Sequence, residues 1–228
     1  NGIKLWVKMT DRAGNTTEDS IAFSIDKTVP TMSVTYDNND DDDEFAGFYK
    51  AERVATIAIN ERNFRAGDVW MQITNTDGSI PVLSDWTTLK DETDPNKTIH
   101  KATLRYQADG DYTFDIRYAD KAGNAAAAIA QHAFTIDRTA PVIAVAFDNN
   151  QSTNGQYYRS GRTATITITE HNFETSRIQI TGTATDDGAP KGYPAASAWV
   201  SKGDVHTATV GFGADAQYTF AVAYTDKA

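Results

Sequence analysis

Along most of the chain, apolar and polar residues alternate with a period of two. That is the pattern of strands that bury one face and leave the other to solvent. The strongest run is Tyr112, Phe114, Ile116 and Tyr118, with a near copy in Tyr218, Phe220, Val222 and Tyr224. Similar runs place Met32, Val34 and Tyr36 inward, as they do Ile143, Val145 and Phe147. Ala55, Ile57 and Ile59 form another, matched by Ala164, Ile166 and Ile168. Met71 and Ile73 match Ile178 and Ile180, and Ala102, Leu104 and Tyr106 match Ala208, Val210 and Phe212. A weaker segment surrounds Trp86 and Trp199, and a last one ends on Phe134 and Ile136, with Phe23 and Ile25 as its earlier counterpart. No stretch carries a convincing helical period.

These runs come in one repeated order. Asp11-Arg12-Ala13-Gly14-Asn15 recurs as Asp120-Lys121-Ala122-Gly123-Asn124 and begins again at Asp226-Lys227-Ala228. Phe23-Ser24-Ile25-Asp26-Lys27-Thr28-Val29-Pro30 recurs from Phe134 to Pro141, and Asp37-Asn38-Asn39 recurs as Asp148-Asn149-Asn150. Thr56 to Phe64 matches Thr165 to Phe173. Many matched blocks in one order identify an internal repeat, and the small drift in spacing puts insertions in the loops between blocks.

About seven short strands per repeat, separated by polar turns, predict an all-β fold of tandem β-sandwiches. Two details point to the immunoglobulin-like type. Tyr112 and Tyr218 each stand two residues before a buried apolar position, where an immunoglobulin tyrosine corner sits, with Phe in place of the disulfide cysteine. The Ala-Gly-Asn turns supply residues that tolerate positive φ between the sixth and seventh strands. The expected organisation is three pieces: residues 1–26 as the last two strands of a truncated repeat, 27–137 as a complete domain, and 138–228 as a domain lacking its last strand. On this phase the chain starts and stops inside repeats. Pro30 and Pro141 follow short polar linkers, which favours this cut over a circularly permuted one.

The Asp-x-Ala-Gly-Asn turn followed by Phe-x-Ile-Asp-x-Thr-x-Pro resembles the bacterial Ig-like repeats of large cell-surface proteins. The resemblance extends over essentially the whole chain. It implies an extracellular setting, on a bacterial (Gram-positive) surface or secreted, and neighbouring Ig-like repeats as partners. It is unspecific for function, because such domains serve as stalks, spacers, adhesive heads and appendages of enzymes.

Composition narrows the choices. A formal net charge of −10 and a pI near 4.8 argue against nucleic acid or an anionic membrane as partner. No cysteine is present, so the cores rely on packing, and thiol chemistry and cysteine-bound metals are excluded. No apolar run is long enough for membrane insertion.

In an immunoglobulin-like topology the start of the first strand and the loops after the second and sixth strands share one end of the sandwich. This gathers Asp26, Thr28, Glu61, Asn63, Asp120 and Asn124 in one repeat, and Asp137, Glu170, Asn172 and Asp226 in the next. Oxygen ligands drawn from a linker and two loops suit Ca2+. The same Asp and Asn types also cap turns and bond local backbone, so both readings stand. The acidic run Asp37 to Glu44 lacks the Gly and Glu that a calcium loop of the EF-hand type requires, and reads as a solvated loop. Trp70 alternates with Val69 and Met71 and is expected to face outward, where it could stack on a sugar. His171 has Arg62 as its counterpart, and His100 and His206 read as surface residues. No Ser, His and Asp set, phosphate loop or paired carboxylates stands out.

The resulting expectation is a non-catalytic spacer or stalk segment, adhesin-like in kind. The alternatives are a module binding a host glycan or protein, and an accessory region of a secreted enzyme. A further expected partner is another copy of the chain, through strand exchange that supplies the missing last strand.

Overall fold

The computed structural model describes residues 2–39, 46–90, 94 and 97–228. Its strands in chain order are β1 (Ile3–Thr10), β2 (Thr16–Phe23), β3 (Thr31–Tyr36), β4 (Phe48–Tyr49), β5 (Arg53–Asn60), β6 (Val69–Asn75), β7 (Thr87–Lys90), β8 (Thr98–Tyr106), β9 (Gly110–Tyr118) and β10 (His132–Ile136). There follow β11 (Val142–Phe147), β12 (Arg162–Thr169), β13 (Ile178–Thr181), β14 (Ala184–Asp186), β15 (Ala189–Pro190), β16 (Val200–Lys202), β17 (Val205–Phe212), β18 (Gln217–Tyr218) and β19 (Ala221–Tyr224). The only helical turns among the described residues are two short 3-10 pieces, Ala66–Asp68 and Thr175–Arg177. The chain divides into two compact units, residues 1–40 with 51–136, and residues 41–50 with 137–228.

In the first unit one sheet has the order β3-β5-β8-β7, and in the facing sheet β9 lies between β10 and β6. All of these pairings are antiparallel. Counting strands from β3 and leaving out the two-residue β4, this is first-second-fifth-fourth against seventh-sixth-third, the arrangement of a seven-stranded immunoglobulin sandwich. The alternation of the sequence translates directly into burial: Ala55, Ile57, Ile59, Leu104 and Phe114 are fully enclosed between the sheets. The expected tyrosine corner is present, with the Tyr112 hydroxyl donating to the Ala108 carbonyl at 2.8 Å.

The second unit repeats the first sheet as β11-β12-β17-β16. Its other side is broken into β13 with β19, and β14 between β15 and β18. Ala164, Ile166, Ile168 and Val210 are fully buried, and the Tyr218 hydroxyl donates to Ala214 O at 3.1 Å. Val145, expected inside, is instead 40% exposed, because the facing layer of this unit is thinner. Strands β1 and β2 form a separate two-stranded sheet, and every residue of both is exposed.

The Asp-Asn-Asn blocks also have a structural role. Asp37 Oδ1 accepts the Val54 N–H, and Arg53 donates to Asn38 O and Asn39 Oδ1. Asp148, Arg162, Asn149 and Asn150 repeat the arrangement bond for bond. From Asp40 to Glu44 the acidic run lies outside the described residues, so its reading as a solvated loop rests on the sequence.

Candidate functional site

In the first unit, three segments deliver carboxylates to one place. Asp26 precedes β3, Glu61 follows β5, and Asp120 follows β9, and one oxygen of each lies within 4.8 Å of the others. Glu61 and Asp120 are buried, and Asp26 is half-buried. Local hydrogen bonds set each side chain. Asp120 Oδ1 accepts the N–H groups of Ala122 and Asn124, while the Asn124 amide donates to Asp120 Oδ2 and to Asp26 O. Gly123, at φ +87, supplies the left-handed residue that this turn needs. The Asn63 amide donates to Asp26 Oδ2 at 2.7 Å, and its backbone N–H donates to Glu61 Oε1 at 2.7 Å. The N–H of Thr28 also donates to Asp26, and these bonds, with Arg62 nearby, hold its carboxyl below the usual range. Asp26, Glu61, Asn63 and Asp120 thus meet, each already held by the turn it belongs to.

The first turn of the chain separates local from tertiary causes. Asp11 accepts from Ala13 N, Asn15 N and the Asn15 amide with the same geometry, and Gly14 has the same φ, but the turn is solvent-exposed. The Asp-x-Ala-Gly-Asn turn therefore forms from its own residues. What the sandwich adds at Asp120 is the company of Glu61 and Asp26.

The second unit places Asp137, Glu170 and Asp226 at the corresponding positions. Thr139 N donates to Asp137, Asn172 N to Glu170, and Ala228 N to Asp226. Asn172 takes part through its backbone. Glu170 is 5% exposed, and burial, then the negative charges of Asp137 and Asp226, push its carboxyl up to about 7. Asp226 is raised by burial and by Asp137, against the pull of Lys50 and Arg177. The like charges of Asp137 and Asp226 act on Glu170, and a proton or a cation relieves the repulsion.

Next to each cluster lies a pair that the sequence reading placed on the surface. His100 and His206 are buried, at 7% and 5% exposure. Each Nε2 sits 2.8 Å from a backbone carbonyl, that of Glu61 or Glu170, and so carries the proton and donates. Each Nδ1 meets a hydroxyl, Thr88 or Ser201. The ring of His100 stacks on Phe64 and that of His206 on Phe173, with centroids 4.2 and 3.9 Å apart. Trp86 and Trp199 close over the same phenyl rings. The histidine thereby ties the carbonyl of the cluster's glutamate to the strand next to it. Strand parity carried the signal: His100 is in phase with the buried Ala102 and Leu104.

Other singled-out residues lie elsewhere. Trp70 is 44% exposed, as its alternation implied, and the Arg117 guanidinium lies 4.8 Å from its ring. His171 forms an exposed pair with Asp204 at 3.0 Å. No helix among the described residues is long and apolar enough to cross a membrane.

Residues 96–204 match the family described as bacterial Ig-like domain (group 3). Comparison with curated proteins gives no match. The matched stretch runs from the approach to β8 through to the turn before β17, so it straddles the two compact units. Domains of this family are structural modules, typically non-catalytic and typically extracellular. Repeat motif and strand order agree with that match, and residues 96–204 are similar to the bacterial Ig-like domain (group 3).

Proposed function

We propose that the chain is a mechanical spacer segment of a bacterial surface or secreted protein, holding a terminal head away from the envelope. The observation that supports this is the repetition of one sandwich, down to the Arg53 and Arg162 clamps and the His100 and His206 stacks, with its variation concentrated in loops. A spacer must resist extension. Single-molecule stretching of the 228-residue chain is expected to show a discrete force peak for the first sandwich. The unfolded segment should span roughly 360–400 Å, from about 110 residues at about 3.3–3.6 Å each. Extension without a peak would refute the reading.

The carboxylate clusters extend this proposal: Asp26, Glu61, Asn63 and Asp120, and Asp137, Glu170, Asn172 and Asp226, would hold Ca2+ and stiffen the loops that meet there. An ion bound only by the folded state at 100 times its dissociation constant stabilises by about 2.7 kcal/mol. Melting in millimolar calcium against chelator is the test, and superimposed curves would remove calcium from the proposal.

A second reading, glycan or host-protein binding, rests on Trp70. Its exposed ring, with Arg117 beside it, borders an apolar groove lined by Met32, Ile116 and Ala125. Binding to a glycan array that is lost on Trp70→Ala would favour that reading over the spacer.

A further inference from the structure

The two units carry different side chains at one place on a strand pair they share. Val69 pairs with Tyr118 in the first unit as Ile178 pairs with Tyr224 in the second, which sets Val69, rather than Met71, level with Ile178. One step further along, Trp70 stands opposite Arg117 in the first unit, and Gln179 stands opposite Ala223 in the second. The sandwich forms with either pair, so its packing does not call for the indole and the guanidinium.

Trp70 borders an apolar groove of about 320 Å3, lined also by Met32, Ile116 and the four alanines at 125–128. Past Ala126, whose N–H donates to Tyr118 O, the chain leaves β9 and rejoins it at His132. Residues 127–131 form no ladder with β9, so their main-chain groups are left for water or a ligand. Two charged side chains line the same groove, Arg117 and Asp68. Arg117 lies 4.8 Å from the Trp70 ring and donates from Nη2 to Asp115 at 3.0 Å, which leaves further N–H groups to donate. The Asp68 carboxylate has only a 3.9 Å contact with Arg65 among the described residues, and its side chain is 30% exposed.

We propose that this groove takes one uncharged pyranose ring of a glycan, stacked on Trp70 with its hydroxyls on Asp68 and Arg117; this rests on the glycan reading of Trp70 given above. A sugar ring has an apolar C–H face and a polar edge. The groove matches both, with an indole face beside a carboxylate acceptor and a guanidinium donor. An apolar protein side chain in the same place would cover Asp68 and Arg117 without replacing their water, which is unfavourable, whereas hydroxyls bond to both. An acidic sugar fits less well. Arg117 already has Asp115 as its counter-ion, Asp68 lines the groove, and the chain carries a net charge of −10. The volume lies at the small end of ligand pockets, which suits a single ring or the end of a chain.

The test uses the 228-residue chain and saturation-transfer NMR. The probes are methyl glycosides of glucose, galactose, mannose and N-acetylglucosamine, set against those of glucuronic and sialic acid. At least one uncharged glycoside is expected to receive saturation, with a dissociation constant on the order of millimolar for so small a ligand. Added salt should change that binding little. Trp70→Gln and Arg117→Ala bring in the residue types that the second unit carries at these places, so the sandwich is expected to keep its fold, as a urea melt would confirm. Trp70→Gln should weaken binding at least about tenfold, and Arg117→Ala about threefold or more. Transfer to the charged glycosides alone, lost in Trp70→Gln, would leave the glycan reading standing and overturn the uncharged ring. No transfer to any probe overturns both. Binding of an uncharged glycoside that survives Trp70→Gln overturns the placement of the site.

Discussion

Replacing Glu170 with Gln tests whether the second carboxylate cluster behaves as a set of opposed charges. Burial and the neighbouring Asp137 and Asp226 hold the Glu170 carboxyl near 7, against 4.5 for an unperturbed glutamate. Between those values the folded chain keeps a proton that the unfolded chain has lost. Stability therefore falls as pH rises from 4.5 to 7, the reverse of an ordinary salt-bridged acid. At 1.36 kcal/mol per pH unit the ceiling is roughly 3 kcal/mol. Asp226 is half-buried, so water reaches one side of the cluster and reduces this to about 1–2 kcal/mol. Trp199 is the single tryptophan of the second unit, and its fluorescence reports that unit in urea melts. In chelator, the second unit is expected to be less stable at pH 7.5 than at pH 5, and Glu170→Gln to flatten most of the difference. His171 and His206 are common to both chains, so the comparison between them isolates Glu170. An unchanged pH slope in Glu170→Gln would refute the reasoning.

Two further predictions concern the frame. Tyr112→Phe deletes the bond to Ala108 O while keeping the buried ring, and should cost about 1 kcal/mol; Tyr218→Phe, at a half-buried site with a longer bond, should cost less, as paired urea melts would show. His100→Ala removes a stacked ring and orphans the Glu61 carbonyl, for an expected loss of about 2–4 kcal/mol; a surface-like change under 0.5 kcal/mol in the same melts would mean that the stack does not form.

Period-two alternation by itself determined which residues of β5, β8 and β9 face inward, because a strand turns successive side chains to opposite faces whatever it packs against. The Asp-x-Ala-Gly-Asn turn was equally legible, since Asp11 and Asp120 make the same bonds in the open and in the sandwich. The same alternation also held the correct answer for His100, but residue type outweighed parity in the reading, and a polar ring in phase with Ala102 was assigned to solvent. Only the fold decides that such a ring can be buried, because only the fold supplies a carbonyl, a hydroxyl and a phenyl ring at the right distances. Alternation likewise marked Val145, Phe23 and Ile25 as inward, yet all three are exposed. A pattern states which face of a strand is apolar, whereas burial needs a second layer to cover it, and that layer comes from strands far away in the chain. The carboxylate clusters lie between these cases: repeat and topology bring Asp26, Glu61 and Asp120 to one end, but the charge state of Glu170 follows from distances and burial that exist only once the sheets have packed.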